Sequence, residues 1–239
     1  MTETFEFPSR ALTALGLAVA CCVMLSSCDR VTGQGRHLDI KGGRGVTAFF
    51  ILGFLEEYTG RHVVDGDDLV EGFYCNETEK VTVFRRQLER LDQEQRLKAD
   101  IRQETIQDCL TRVRSAVLAE ALNAVYRKRE EPPIEQSWTT DAEGRHHRLG
   151  TLWIDDRVFL GVERDLKFAY VAGAYSRYGA GDSMRLANSQ HKVAILAALL
   201  KELGASGIRT ESTQGFMPQT NTIYFQPSAE LRAWLARVW

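Results

Sequence analysis

Apolar residues recur along this chain at two different spacings, which predict helices and strands in mixed order. Residues 45–60, "GVTAFFILGFLEEYTG", have apolar side chains at helical spacing and end at a glycine, as helices commonly do. A second helix is predicted where Asn76 and Glu79 have the spacing of a capping box and an apolar stripe follows. Two strands are predicted at 61–64 and 69–75, on either side of the turn sequence "DGDD".

The next segment has two interpretations. Residues 96–102, "RLKADIR", alternate between apolar and charged side chains, which predicts a strand. A helix that continues through this segment is the alternative, because its residues individually favour helices. From Thr105 to about Arg129, apolar residues at helical spacing predict a long linking helix.

The last part of the chain mixes both kinds of element. A meander of short strands is predicted over 136–163, and another strand over Phe168–Ser176. A helix at Ser189–Leu203 precedes strands in "IRTEST" and "NTIYFQ", and a closing helix covers Ser228–Arg237. The predicted fold class is therefore α+β, with two small mixed units joined by a long helix and an antiparallel meander.

The N-terminal segment has the pattern of a targeting signal. Residues 11–25 carry no charge, which suits the core of a secretory signal, and the run ends in "LSSCDR". Leu25 to Cys28 resembles the lipobox of bacterial lipoproteins, and this resemblance implies that Cys28 is lipidated and becomes the first residue after cleavage. Asp29 then resembles an inner-membrane retention signal. A buried apolar helix with incidental cysteines is the alternative interpretation.

The remaining cysteines follow from that assignment. Removal of residues 1–27 would leave Cys75 and Cys109 beside the lipidated Cys28. Because two cysteines remain unmodified in an oxidising compartment, we predict a disulfide between Cys75 and Cys109. Two buried thiols are the alternative.

Charge and motifs restrict the classes of function. With 30 basic and 32 acidic side chains the net charge is -2, so the sequence predicts no nucleic-acid partner. Ser189 and Lys192 match the Ser-x-x-Lys spacing of penicillin-recognising enzymes, but the companion motifs are missing. Adjacent His146 and His147 point to opposite faces of a predicted strand and cannot easily share a metal. We therefore predict no catalytic residue, no metal site, no cofactor and no enzyme activity.

Two stretches resemble the periplasmic domains of secretins. The stretch "LDIKGGRGVTAFFILGFLEEYTGRHVVDGDDLVEG", Leu38 to Gly72, is similar to the short N-terminal domain that secretins share with TonB-dependent receptors. The Ala- and Leu-rich helix, "TNTI" and Glu230-Leu231 look like the repeated domains that follow in that family. The proline that is usual after the aspartate is replaced by Gly66, and no pore-forming region follows.

This resemblance implies a lipid-anchored periplasmic component of a secretion, type IV pilus or conjugation machine. Its partners would be the lipid bilayer through Cys28, secretin or other machine subunits, and further copies of the chain in a ring. The Asp29 signal favours the inner membrane, whereas the secretin resemblance favours the outer one. The alternative function is a periplasmic lipoprotein that binds and inhibits a toxin or enzyme. The predicted domain bounds are 1–27 (signal peptide), 28–36 (tether), 37–103 (secretin-like unit), 104–131 (linking helix), 134–164 (antiparallel meander) and 165–239 (second small α/β unit).

Overall fold

The computed structural model describes residues 38–40, 45–57, 60–63, 66–106, 109–128, 138–140, 146–148, 150–213 and 219–237. Six α-helices and a short 3₁₀ helix lie in these ranges. The helices are α1 (Gly45–Phe54), α2 (Thr78–Gln95), α3 (Ala116–Asn123), α4 (Arg164–Tyr178), α5 (Gln190–Glu202) and α6 (Ala229–Leu235), with the 3₁₀ helix at Asp156–Phe159.

Twelve strands in the same ranges form antiparallel pairs. They are β1 (Arg61–Val63), β2 (Leu69–Phe73), β3 (Arg102–Ile106), β4 (Leu110–Arg114), β5 (Tyr126–Lys128), β6 (Trp138–Thr140), β7 (His146–Arg148), β8 (Gly150–Ile154), β9 (Gly179–Ala180), β10 (Ser183–Ala187), β11 (Ser206–Ser212) and β12 (Thr220–Gln226). The sheet orders are β2-β4-β3, β11-β12-β10-β9, β1-β8-β5 and β6-β7. The α+β class expected from the sequence is confirmed.

The order of elements repeats within the chain. The first half runs α1, β1, β2, α2, β3, β4, α3, and the second runs α4, β9, β10, α5, β11, β12, α6. The strand orders also correspond, because β2-β4-β3 and β10-β12-β11 both place the last strand of the half between the other two. The residues Gly35–Trp239 form one compact unit that contains both halves. We call β2-β4-β3 the first repeat sheet and β11-β12-β10-β9 the second repeat sheet.

Two glycines set the contact between the halves. A Cβ atom on Gly53 of α1 would overlap the carbonyl oxygen of Tyr170 on α4, and one on Gly173 of α4 would overlap the carbonyl oxygen of Phe50 on α1. The contact is therefore reciprocal. Gly53 lies three positions after Phe50, whose carbonyl Gly173 approaches, and Gly173 lies three positions after Tyr170, whose carbonyl Gly53 approaches. Only a residue without a side chain allows two helix backbones to approach this closely.

The helix pair forms the centre of the apolar core. Phe54 of α1 packs against Phe84 of α2 with ring centroids 5.2 Å apart, and Phe84 packs against Phe73 of β2 at 5.4 Å. In the second half, Phe168 of α4 stacks on Trp234 of α6 at 5.5 Å. Each half thus buries the inner face of its own sheet and helices against the central pair.

Several predicted elements are correct. Helices α2, α5 and α6 and strands β1, β2, β11 and β12 lie where the patterns indicated them. Helix α1 begins at Gly45 as predicted, but it ends at Phe54 and not at Gly60. The side chain of Ser228 caps α6 by accepting a hydrogen bond from the backbone N–H of Leu231 at 3.2 Å. The capping box at Asn76 is wrong, because the N-cap is Glu77 and its side chain makes no capping bond.

The predicted linking helix over 104–131 is wrong. Residues 102–114 form the β3–β4 hairpin, in which Ile106 pairs with Leu110, and α3 begins only at Ala116. The apolar residues of these two strands happen to fall at intervals of three and four in the sequence. Neither interpretation of 96–102 holds, because Arg96 ends α2 in the left-handed conformation with φ of 54° and the strand begins at Arg102.

The strand predicted at Phe168–Ser176 is also wrong, since this segment belongs to α4. The helix is buried from Phe168 to Ala174, so it has no polar face to show a helical period. Within the predicted meander, β6 pairs with β7, whereas β8 pairs with β1 and β5. The domain bounds given above stay a prediction.

Candidate functional site

Charged side chains meet where α1 and α4 end. The two helices run side by side, so the segment Leu55–Glu57 lies beside the last turn of α4. The first turns of α2 and α5 approach the same place, because Glu77 and Ser189 are their respective N-caps. Both halves therefore supply residues to one centre, which we call the helix-end cluster. Its members are Glu56, Glu57, Glu71, Glu77, Arg177 and Lys192.

Arg177 connects the halves at this cluster. Its side chain is 1% exposed, and its nitrogens lie 3.2 Å from Glu77, 3.3 Å from Glu71 and 3.7 Å from Glu56. The same guanidinium donates to the backbone carbonyls of Phe54 at 3.3 Å and Gly72 at 3.0 Å. A planar group with five donors satisfies this many acceptors at once, which a lysine could not do. Arg177 thus holds the end of α1, strand β2 and the start of α2 together.

Lys192 binds the other side of the α1 end. Its Nζ is fully buried and donates to the carbonyl of Leu55 at 2.5 Å, and it lies 3.6 Å from Oε1 of Glu57. Burial lowers the pKa of Lys192 to about 8, although Glu57 opposes that shift. The hydroxyl of Ser189 donates to the Glu57 carbonyl at 2.7 Å. The last carbonyls of α1 therefore find their partners in the second half, where a free helix end would need water.

The buried carboxylates Glu71 and Glu77 each have several partners. Glu71 accepts from the backbone N–H of Glu56 at 2.7 Å and of Gly72 at 2.8 Å, besides its ion pair with Arg177. Burial would raise the pKa of Glu77, but the Arg177 guanidinium lowers it below the ordinary value. Both side chains contact the guanidinium of Arg177 and hold it in place.

Glu56 differs from these carboxylates. Its side chain is 27% exposed, and its closest cation, Arg177, is 3.7 Å away, beyond hydrogen-bond distance. Burial and the nearby charge of Glu71 raise the pKa of Glu56 to about 7, against the effect of Arg177. Among the residues that the structure describes, no side chain donates a hydrogen bond to this carboxyl group. Glu56 can therefore accept a hydrogen bond or a proton from a bound molecule near neutral pH.

Two pockets share Glu56 as a wall. The first, of about 310 Å³, lies along β2 and is lined by Gly72, Tyr74 and Arg112 among others. The second, of about 440 Å³, lies on the other side of Glu56 and is lined by Lys80, Arg177 and Arg185 among others. Tyr74 also lines both. We call them the β2 pocket and the α2 pocket.

The first repeat sheet turns its charged side outward. Val113 and Phe73 face the core, so their neighbours Arg112 on β4, Glu104 on β3 and Gly72 on β2 share the solvent face. Arg114, on that face, is paired with Glu104 at 2.6 Å. Arg112 makes no ion pair with any residue that the structure describes.

The second repeat sheet also has a polar solvent face, with its arginine on β10, the strand that corresponds to β2 rather than to β4. Arg185 of β10 is level with Thr222 of β12 and Glu211 of β11, while Met184 and Ile223 face the core. In the next row the Arg209 guanidinium lies 4.0 Å from the ring centroid of Tyr224. Arg185, like Arg112, makes no ion pair within the described ranges. Each repeat thus presents an antiparallel sheet with one arginine available to a ligand.

The structure places the residues singled out in the sequence as follows. The Cα atoms of Cys75 and Cys109 lie 4.7 Å apart at an exposed position, a separation that a disulfide can span, and the bond between them stays a prediction. Cys28 lies outside the described residues, and its lipidation stays a prediction. Ser189 and Lys192 both contact the α1 end and are buried, so the Ser-x-x-Lys spacing has a structural explanation here. No group of three His, Cys, Asp or Glu suited to a metal occurs in the described ranges, and no helix there has the length and hydropathy needed to span a bilayer.

No family model matches the sequence, and no curated protein is similar to it. The solved structures that are similar in backbone include I-DmoI in complex with DNA and Ca, with 14% identity over 80% of this chain and 87% of that chain, at a TM-score of 0.47. Mesophilic variants of the homing endonuclease I-DmoI match with 15% identity over 81% of this chain and 88% of that chain, at a TM-score of 0.45. A complex of I-DmoI with DNA and Mn covers 82% of this chain and 99% of that chain at 14% identity, at a TM-score of 0.44.

These findings contradict several predictions from the sequence. The similar structures are of a homing endonuclease, so the resemblance to secretin and lipoprotein families is wrong. The predictions of a secretion role, of the inhibitor alternative and of a periplasmic, membrane-anchored location are contradicted by the same finding. The prediction that the chain is not an enzyme is contradicted because those neighbours are endonucleases. The exclusion of a nucleic-acid partner is contradicted because several of them hold DNA.

Proposed function

We propose that this chain binds a nucleic-acid duplex across the solvent faces of its two repeat sheets. The observation that carries the proposal is the repeat itself, which presents Arg112 on one sheet and Arg185 on the other, both exposed and without an ion pair in the described ranges. A duplex backbone has two-fold symmetry, and binding proteins commonly mirror it with two related modules.

The sheets have the side chains that such a ligand requires. Antiparallel strands fit a nucleic-acid groove, and an arginine can bind a phosphate or the edge of a guanine with two hydrogen bonds. Thr222 and Ser183 supply hydroxyl groups to the face of the second sheet. The Tyr224 ring beneath Arg209 keeps that guanidinium extended along the same face.

Most other charges on these faces are already neutralised. Arg114 pairs with Glu104 and with Asp67 at 3.0 Å, and Arg209 pairs with Glu211. The proposal therefore requires few phosphate contacts, and this agrees with the net charge of -2. Binding should depend only moderately on salt, in contrast to strongly basic proteins.

Fluorescence anisotropy with a labelled duplex of mixed sequence tests the proposal. The wild-type chain should bind, and the double variant Arg112→Ala, Arg185→Ala should bind at least about tenfold more weakly at low salt. Arg232→Ala is the matched control, since Arg232 is exposed on α6, which packs against α4 rather than on the sheet faces. Equal affinity of the double variant and the control would refute the proposal.

A further inference from the structure

We propose that the β2 pocket binds one unpaired guanine nucleotide, with its base over Gly72 and its phosphate at Arg112. The inference rests on the proposed nucleic-acid binding and names a second kind of contact within it. It predicts that the protein prefers a duplex from which a single guanine has been displaced.

The polarity of the pocket gives the orientation of the ligand. Glu56 and Arg112 both line the pocket, and the Glu56 side chain is mostly buried whereas Arg112 is exposed. Leu69 and Leu110 add apolar lining. A ligand that fits must carry hydrogen-bond donors at one end, a flat apolar body and an anionic group at the other. A nucleotide has this sequence of groups.

The acceptor in the pocket lining selects the base. The Glu71 carboxylate is occupied by the backbone N–H groups of Glu56 and Gly72 and by Arg177. Glu56, by contrast, accepts no hydrogen bond from a described side chain and is one of the residues that line the pocket. An ionised carboxylate has only acceptors, and guanine presents two adjacent N–H donors on its pairing edge, so the two groups can form two parallel hydrogen bonds.

Gly72 leaves the space that a base needs. A Cβ atom on this residue would have no atom within 4 Å, and its φ is outside the left-handed region, so neither crowding nor backbone conformation requires glycine here. Instead, the absence of a side chain keeps the floor of the pocket open. Tyr74, which is 58% exposed, lies two positions further on and gives a ring on which a base can stack.

The same geometry provides a variant that closes the pocket without strain. Gly72→Val places a branched side chain in open space on a strand, where valine is favoured. It leaves the side chains of Arg112 and Arg185 in place. Thr210→Val on β11 is the matched control, because it introduces the same side chain at an exposed strand position of the other repeat sheet.

The experiment compares labelled duplexes with a single bulged guanine, a single bulged thymine, or no bulge, at pH 8 with the full chain. The wild type and Thr210→Val should bind the guanine bulge at least about tenfold more tightly than either other duplex. Gly72→Val should lose that preference and bind the three duplexes with affinities equal to one another. Glu56→Gln should lose the preference for guanine over thymine, because an amide presents a donor to one of the guanine donors.

The outcomes separate this inference from the proposed function. Tight binding to the paired duplex with no guanine preference would overturn the inference alone. A guanine preference that persists in Gly72→Val would also overturn it, because the base would then lie elsewhere. Absence of binding to any duplex would overturn both proposals.

Discussion

Replacement of Glu56 by glutamine should make the protein more stable at alkaline pH and leave it nearly unchanged in acid. The ionised carboxyl of Glu56 is penalised in the folded chain by burial and by the charge of Glu71, so its pKa is raised from 4.5 to about 7. In the unfolded chain that penalty is absent. Glutamine resembles the protonated side chain in shape and removes the charge permanently.

The sign and size of the effect follow from linkage. A carboxyl whose pKa is raised on folding stabilises the native state fully below its unfolded pKa, and that contribution is lost as the pH rises through the folded value. The wild type should therefore lose stability from this group between about pH 4.5 and pH 7. Because each pH unit between the two pKa values corresponds to about 1.4 kcal/mol, Glu56→Gln should gain about 3 kcal/mol at pH 8.

Urea denaturation of both proteins at pH 4.5, 6 and 8 measures this difference. Glu120→Gln serves as the control, since Glu120 is exposed on α3 and its substitution should change the free energy of unfolding by less than about 0.5 kcal/mol at every pH. A stability gain that does not grow with pH, or a loss at pH 8, would refute the assigned environment of Glu56.

Three further predictions concern the stability of the fold. Arg177→Met should lower the free energy of unfolding by about 3 to 5 kcal/mol in urea, because it leaves buried carboxylates without their cation; a loss under about 1 kcal/mol would contradict this. Gly53→Ala should lower the free energy of unfolding by more than about 3 kcal/mol in the same assay, because the added methyl group forces α1 away from α4. The control Gly72→Ala should lower it by less than about 1 kcal/mol. Equal losses for the two variants would be incompatible with the packing described. We propose that the Cys75–Cys109 disulfide forms in the protein, so Cys109→Ser should cost about 3 to 4 kcal/mol, and free thiols in non-reducing mass mapping would refute it.

The sequence patterns predicted the elements that have one buried face and one exposed face. Helix α2 buries Val81, Phe84 and Leu88 and exposes its other side, so its period was visible. Helix α4 was missed because Phe168 to Ala174 is buried on all sides, and a completely buried helix shows no polar period. The β3–β4 hairpin was missed because its apolar residues fall by coincidence at helical intervals.

The helix-end cluster could not be predicted residue by residue. Arg177 and its partner Glu77 are 100 positions apart, and only the close approach of α1 and α4 brings them together. One signal was nevertheless present. The segments "FFILGFLEEY" and "AYVAGAYSRY" each have a glycine three residues after an aromatic residue and five before a tyrosine, which indicates an internal repeat. Recognition of that repeat would have predicted the helix pair and corrected the assignment of α4.

The salt dependence of duplex binding tests the central claim most directly. If Arg112 and Arg185 each neutralise one phosphate, a plot of log affinity against log salt concentration should have a slope of about -1.8 for the wild type. Each arginine-to-alanine variant should reduce the slope by about 0.9, and the double variant should approach zero. A wild-type slope that is unchanged in the double variant, or no measurable affinity at low salt, would contradict the proposal that the two repeat sheets bind nucleic acid.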